Sequence, residues 1–275
     1  MNVQNFNRKD SEGVNLRGLI VPEAGHKFIV VDFAQIEART LLWLAGDFAF
    51  LDTLREMDIY EATARQMLGY TDPRPLKAVN PALRSLAKPI RLGLQFNMKA
   101  KTLQFTALRD YGMQIAFEDC ERYVEDFAEA NPLTVALWER LTEAFAKRSG
   151  QPAYTLPLPS GRKIRYWEPE AVGWKLSASA VKTGPRYEYH AGTLAENYAS
   201  GTAREILALA WLRCADAGYA PILSIHDELV FEVPAAKAQD AKAEIVSIMQ
   251  TPPDWPLADR LPIEVEAFIA DRYGK

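Results

Sequence analysis

Cysteine and histidine are scarce in this chain. Its 275 residues include two cysteines and three histidines. Neither Cys120 nor Cys214 belongs to a CxxC pair, and no pair of histidines lies near either of them. A disulfide framework and a zinc site are therefore both unexpected, and reduced thiols in a cytoplasm are the default.

Long apolar runs and targeting patterns are also missing from the sequence. No apolar run approaches the roughly 20 residues that a membrane-spanning helix needs, and the N-terminal residues do not follow the pattern of a signal peptide. We therefore expect a cytoplasmic protein without a membrane partner.

Acidic residues are missing from one long segment. The formal net charge is −4, yet residues 73–109 contain no Asp or Glu. Such a block of one sign attracts anions. A binding surface for anions and an ordinary solvated basic face both fit this pattern. The cations of the block are Arg74, Lys77, Arg84, Lys88, Arg91, Lys99, Lys101 and Arg109.

The pattern of apolar residues predicts strands near both ends of the chain and helices between them. A buried strand is predicted at 27–32, a hairpin at 154–169, a tight strand-turn-strand at 220–234 and a last strand at 261–269. This order indicates an α+β fold in which distant segments build an antiparallel sheet and a mostly helical block is inserted. Helices are predicted at 35–46, 50–70, 77–111, 117–148 with a break near Asn131-Pro132, 192–217 and 235–250.

Two acids stand where buried strands end. Asp32 follows "KFIVV", and Asp227 lies inside the apolar stretch "ILSIHDELVFEV". Isolated carboxylates are costly to bury, but two that converge can hold divalent cations for phosphoryl transfer. Because acids at strand ends are common, a purely structural role is the alternative.

A row of residues at four-residue spacing runs through "RSLAKPIRLGLQFNM". Arg84, Lys88, Leu92 and Phe96 would share one face of a helix. Two cations suit a triphosphate, and an aromatic ring suits a base or a sugar. The alternative is an amphipathic core helix with snorkelling cations. Pro89 predicts either a kink in this helix or a helix that starts there.

Three segments together resemble the signature motifs of family A DNA polymerases. They are "VVDFAQIEAR", "RSLAKPIRLGLQF" and "HDELVFEVP", in that order. "NVQNFNR", "LPSGRKIRYWEP" and "GTLAENYASGTAREIL" resemble the bacteriophage-type branch. The resemblance implies an antiparallel-sheet palm with a helical fingers insertion, without thumb or exonuclease domains. We expect palm at 1–50, fingers at 51–165 and the second part of the palm at 166–275.

The resemblance also implies roles for individual residues. Asp32 and Asp227 match the catalytic aspartates that bind two Mg²⁺ ions, with the carbonyl of Phe33 assisting and Glu228 as a supporting acid. The expected nucleotide-binding residues are Gln35, Glu37 as the barrier to a ribose 2′-hydroxyl, Arg84 and Lys88 on the triphosphate, and Phe96 near the nascent base pair. The expected primer-template residues are Gln4, Asn5, Arg8, Ser200 and His226.

Some positions depart from the family pattern. Arg39 belongs to the first motif, and we expect it to be structural. Leu92 stands where an aromatic is frequent, Asn97 replaces a small residue, and Ser200 stands where glutamine is common.

The function implied is DNA-templated DNA polymerase activity in DNA replication, by a truncated or split enzyme in a bacterial or phage-infected cytoplasm. The expected partners are primer-template DNA, dNTPs and a separate chain that supplies a thumb or an exonuclease domain. Two hypotheses compete with it. One is a non-catalytic nucleic-acid-binding remnant of a polymerase, and the other is a metal-dependent nuclease that uses the same acids.

Overall fold

The computed structural model describes residues 15–173 and 175–274. They form two compact units. The first unit combines the residues up to Ile36 with Ala203–Asp259 and the segment from Ile263 onwards. The second unit comprises Glu37–Thr202 and Arg260–Pro262. The division into palm and fingers at residues 50 and 165 stays a prediction.

The described residues contain ten α-helices and eight strands. None of these helices has both the length and the apolar character that crossing a bilayer requires. The helices are α1 Ile36–Ala45, α2 Phe48–Thr53, α3 Ile59–Met67, α4 Leu76–Val79, α5 Pro81–Leu94, α6 Ala100–Tyr111, α7 Phe117–Ala130, α8 Pro132–Ala146, α9 Ala191–Asp216 and α10 Ala238–Met249. The strands are β1 His26–Phe33, β2 Ala153–Pro157, β3 Lys163–Val172, β4 Lys175–Ser179, β5 Arg186–Tyr189, β6 Leu223–Ile225, β7 Glu228–Pro234 and β8 Val265–Ala270.

The first unit is built on an antiparallel sheet in the order β6-β7-β1-β8. Strand β1 lies between β7 and β8, and its residues Ile29, Val30 and Val31 are fully buried. Phe28 and Val30 pack on one face of the sheet with Val230 and Tyr273. Because β1 comes from the start of the chain and β7 and β8 from its end, the fold joins motifs that are far apart in sequence.

The second unit packs helices against an antiparallel sheet in the order β2-β3-β4-β5. Aromatic rings fill much of the contact. Phe145 of α8 lies 5.6 Å from the ring of Tyr154 and 5.5 Å from that of Tyr166. Two antiparallel sheets and a helical block confirm the predicted α+β class.

Most predicted elements are confirmed, but two long helices were predicted too long. Residues 50–70 divide into α2 and α3, because the side chain of Asp58 caps α3 by accepting from the N–H groups of Tyr60 and Glu61. Residues 77–111 divide into α4, α5 and α6. A helix starting at Pro89 was wrong, since α5 begins at Pro81 and continues through Pro89.

The other differences lie in strands. Strands β4 and β5 were not predicted. The last strand was predicted to begin at residue 261, and it begins at Val265.

Candidate active site

The end of β1 and the β6–β7 hairpin bring the acidic motifs of the first unit together. Asp32 is the direct cross-strand partner of Glu228. The N–H of the next residue, Phe33, donates to the carbonyl oxygen of Asp227 at 3.1 Å. Asp227 therefore lies in the turn beside the last pair of this ladder, bonded through its backbone to the residue that follows Asp32. Because Phe33 and Asp227 form the hydrogen-bonded rung, the Asp32–Glu228 rung is of the closer type, with Cα atoms about 4.5 Å apart.

A row of three acids crosses this end of the sheet. Asp32 pairs with Glu228 on β7 and with Glu266 on β8. Direct partners in an antiparallel sheet point to the same face. Glu266 was not among the predicted site residues, although its place in the last predicted strand could have suggested it.

The hairpin turn has an unusual backbone. It consists of His226 and Asp227, and His226 is exposed with a φ of +52°, in the left-handed region. Two-residue hairpin turns need such a residue because it matches the twist of the strands. Behind the turn, the buried Tyr273 donates its hydroxyl to Glu228 Oε1 at 2.7 Å. Glu228 is thus tied to the sheet core, while Asp227 lies at the tip.

The donor set of this site suits magnesium. The carboxylates of Asp32 and Asp227 are both half-buried, and the Phe33 carbonyl lies on the strand edge that faces Asp227. Mg²⁺ prefers oxygen donors and is commonly held by one or two carboxylates, with waters and phosphates completing its shell. No cluster of three or more His, Cys, Asp or Glu side chains that could enclose a metal occurs among the described residues.

The first predicted motif continues into helix α1. Gln35 has a φ of +55° in the turn before the helix, and Glu37 is exposed in its first turn. Arg39 is buried, and its Nη1 lies 3.4 Å from the carbonyl oxygens of Leu54 and Pro262. The burial of Arg39 supports the structural role expected for it.

Ser200 of α9 contacts the carboxylate of Glu37. Its hydroxyl donates to Glu37 Oε1 at 2.6 Å. Glu196, one turn earlier on α9, has a carboxyl pKa raised by partial burial and then by the charge of Glu37, while His190 lowers it. Sequence reasoning assigned Ser200 to the primer-template and missed Glu196, although the spacing from 196 to 200 places both on one face of a helix.

Two of the three cations of α5 lie near one aromatic ring in the second unit. The charged groups of Arg84 and Lys88 lie 5.0 Å and 5.9 Å from the ring centroid of Tyr60. Arg84 also donates twice to Asp58 Oδ2, from Nε at 3.0 Å and from Nη2 at 2.9 Å. Asp58 and Tyr60 were not predicted as site residues. The pattern "DIYE" marks a helix start, but nothing local links it to α5.

Phe96 was predicted to continue the row on the helix, and this was wrong. Helix α5 ends at Leu94, and Asn97 takes the left-handed conformation with a φ of +58°. Phe96 therefore lies in the turn after the helix, beside a cavity of about 500 Å³ that is also lined by His190 and Glu196. Arg84, Lys88 and Leu92 do lie on the helix.

Gln4, Asn5 and Arg8, the remaining predicted primer-template residues, lie outside the described residues. Their assignment stays a prediction.

The comparisons with known proteins agree with the motif resemblance. The sequence model of DNA polymerase family A matches residues 1–275. The DNA polymerase of Bacillus phage SP02 is 30% identical over 290 residues, which cover 94% of this chain and 43% of that protein. The thermostable DNA polymerase I of Thermus thermophilus is 29% identical, over 98% of this chain and 30% of that protein.

A solved structure shares the fold. The POL domain of Pol1 from M. smegmatis, in complex with DNA primer-template and dNTP, matches with a TM-score of 0.71 and 21% sequence identity. The match covers 98% of this chain and 44% of that one. This chain thus spans less than half the length of each of these proteins. The family model covers the whole chain, and the chain belongs to DNA polymerase family A.

Proposed function

We propose that this chain catalyses the DNA-templated addition of deoxynucleotides to a primer 3′-hydroxyl, as part of DNA replication. The observation that carries the proposal is the pairing of β1 with the β6–β7 hairpin, which ends at Asp32 opposite Glu228 and bonds the backbone of Phe33 to that of Asp227 in the turn. Members of family A use two metal ions. When bound, such ions activate the attacking oxygen and stabilise the leaving one.

In this proposal each group of the chain has a defined task. Asp32, Asp227 and the Phe33 carbonyl would hold the ions, and Glu228 would support the hairpin. Arg84 and Lys88 bind the triphosphate, because cations of this kind match phosphate oxygens. The primer 3′-oxygen forms a bond to the α-phosphorus, the bond to the β-phosphate oxygen breaks, pyrophosphate leaves, and the hydroxyl proton passes to water.

The selection of deoxyribose over ribose is assigned to Glu37. Its exposed carboxylate would stand where a ribose 2′-hydroxyl would need space. Gln35 and Phe96 complete the nucleotide-binding set, and Ser200 and His226 are assigned to the side of the primer-template.

Primer extension tests the proposal. A labelled primer annealed to a longer template is incubated with Mg²⁺ and dNTPs, with this chain alone and with the polypeptide encoded directly upstream of it. The second arm asks whether a separate chain supplies a thumb or an exonuclease domain. Template-directed extension in either arm supports polymerase activity. Salt-sensitive DNA binding without extension in both arms would contradict it and favour a non-catalytic binding module, whereas Mn²⁺-dependent degradation of the DNA would favour a nuclease.

A further inference from the structure

Helices α1 and α9 are joined by two hydrogen bonds close to Glu37. The hydroxyl of the buried Thr40, one turn after Glu37, lies 3.2 Å from the carbonyl oxygen of Ala199 and 3.0 Å from that of Glu37. The next residue on α9 is Ser200, whose hydroxyl donates to Glu37 Oε1 at 2.6 Å. The buried contact at Thr40 therefore fixes the spacing at which the exposed pair meets.

The charges near Glu37 make the Ser200 hydroxyl important for the orientation of the Glu37 carboxylate. Glu196 lies one turn before Ser200 on α9, and its charge interacts with that of Glu37. A neighbouring carboxylate repels Glu37 and gives it no anchor. An exposed glutamate otherwise samples several rotamers, so the hydroxyl of Ser200 is the attractive contact that selects one direction for its carboxylate.

We propose that Ser200 is a positioning residue for sugar selection, holding the Glu37 carboxylate in the orientation that excludes a ribose 2′-hydroxyl. The inference rests on the proposed polymerase function. It gives Ser200 a role beyond contact with the primer-template, and the nucleotide class it disfavours is the ribonucleoside triphosphate.

The test is a double-mutant cycle read as discrimination between sugars. The ratio of kcat/KM for a dNTP to that for the matching rNTP is measured for the wild type, Ser200→Ala, Glu37→Ala and the double variant. Loss of one hydrogen bond to a charged group at an exposed site should lower the ratio about threefold to tenfold in Ser200→Ala. Ser200→Thr keeps the hydroxyl and should restore most of the ratio.

The cycle separates positioning from a direct contact. If Ser200 acts through Glu37, adding Ser200→Ala to Glu37→Ala should change the ratio no further. An equal drop in both backgrounds, or no drop in Ser200→Ala, would overturn the inference while leaving polymerase activity intact. No incorporation of dNTPs by the wild type, alone or with the upstream polypeptide, would instead refute the proposed function, and the role of Ser200 with it.

Discussion

Arg84 and Asp58 form a two-pronged ion pair on the face of the ring of Tyr60. Both nitrogens of the fork, Nε and Nη2, bond to the same carboxylate oxygen, Oδ2. The other oxygen, Oδ1, accepts the N–H groups of Tyr60 and Glu61 at the start of α3. One aspartate thus caps a helix and holds the cation that the proposed function assigns to the triphosphate.

Because Oδ1 of Asp58 caps α3 and Oδ2 binds Arg84, the variant Asp58→Asn tests the ion pair separately from the cap. Asparagine caps helices as well as aspartate does, so α3 should persist while Arg84 loses its counter-charge. A triphosphate would then no longer compete with Asp58 for Arg84, and we expect KM for the dNTP to fall about threefold. Steady-state single-nucleotide incorporation measures this value. The part-exposed ion pair contributes about 1 kcal/mol or less to stability, so Tm should fall by no more than about 2–4 °C.

Two comparisons check this interpretation. Arg84→Ala should raise KM to the same level with either residue at position 58, since no cation is left to release. Asp58→Ala removes the cap as well and should lower Tm further than Asp58→Asn, by about another 1 kcal/mol. A KM that rises in Asp58→Asn would mean that the ion pair orients Arg84 for the nucleotide, contrary to our expectation.

The sequence predicts those parts of the fold and site whose signal is local. β1 and α9 are long and carry clear apolar patterns, and the β6–β7 hairpin has two apolar runs around a short turn. By contrast, β5 is short and largely exposed, so its residues show no alternation between buried and exposed positions. The pairing of Arg84 with Asp58 depends on tertiary packing between α3 and α5, which no local pattern encodes.

The place of Phe96 illustrates the same limit. Four-residue spacing predicts one helical face, but spacing alone does not locate the end of the helix. Asn97 ends this one by adopting a conformation that asparagine tolerates better than most residues. Asparagine was a usable signal, although it is also common inside polar surface segments.

Removal of charge at Asp32 or Asp227 tests the proposed metal site. Asp32→Asn and Asp227→Asn should each lower kcat at least about a hundredfold, because an amide is a far weaker ligand for Mg²⁺ than a carboxylate. Both substitutions keep the size of the side chain, so Tm should stay within about 2–4 °C of the wild type. Single-turnover primer extension and thermal melting measure the two effects.

Glu266→Gln is the matched control for the acidic sites. It removes a charge from the same face of the sheet, directly opposite Asp32, but from a residue without an assigned role in the proposed metal site. We expect less than a threefold change in kcat. A loss as large as that of Asp32→Asn would assign Glu266 to the site or show that any charge change on this face abolishes the proposed activity.

Gly192 permits close approach between the start of α9 and the Phe96 turn. A Cβ at this position would lie 1.7 Å from the carbonyl oxygen of Phe96 and 2.6 Å from its carbonyl carbon. Since backbone atoms cannot rotate away, Gly192→Ala should cost about 3 kcal/mol and shift Phe96. Chemical denaturation measures the free energy of unfolding.

Gly201→Ala is the control within the same helix. Its Cβ would meet only the ends of the side chains of Ile164 and Leu158, at 3.1 Å and beyond. These groups can move slightly, and alanine gains up to about 1 kcal/mol of helix propensity over glycine. We expect Gly201→Ala to be close to neutral. Equal destabilisation by both substitutions would mean that helix α9, rather than the Phe96 contact, is sensitive to added volume.

Arg91 is a buried cation held between rings. Its guanidinium lies 5.0 Å from the ring centroid of Phe50 and 5.5 Å from that of Phe127, and Nη1 donates to Asn131 Oδ1 at 3.0 Å. Burial lowers the pKa of Arg91 to about 10, so the group stays charged at neutral pH. Lysine lacks the planar guanidinium group that can stack on the rings while Nη1 donates to Asn131.

Arg91→Lys should therefore lower the free energy of unfolding by about 2 kcal/mol. The same substitution at Arg109 is the control, because that side chain is exposed and its ion pair with Asp110 lies at the surface; we expect a change within about 0.5 kcal/mol there. Chemical denaturation at pH 7 compares the two variants. Similar small effects at both positions would show that the fork and stacking of Arg91 add little.

Tyr166 gives the fold a measurable dependence on alkaline pH. Burial, opposed in part by the amide of Asn197, raises the pKa of its phenol to about 12. The unfolded chain loses this proton near pH 10, so between pH 10 and 12 the folded state binds more protons than the unfolded state. The contribution of Tyr166 to the free energy of unfolding is fully present below pH 10. It falls by about 1.4 kcal/mol per pH unit between pH 10 and pH 12.

Tyr166→Phe removes both the hydrogen bond and this titration. At pH 7 the variant should be less stable than the wild type by about 1 kcal/mol, the usual net value of one buried hydrogen bond. Above pH 10 the difference should shrink and then reverse, because only the wild type pays for keeping a proton on the folded phenol. Tyr187→Phe removes an exposed hydroxyl and should change the free energy of unfolding at pH 7 by less than about 0.5 kcal/mol. Parallel profiles for Tyr166→Phe and the wild type up to pH 11 would show that the phenol titrates alike in both states, and that Tyr166 is more accessible to water than its packing against Phe145 and Tyr154 indicates.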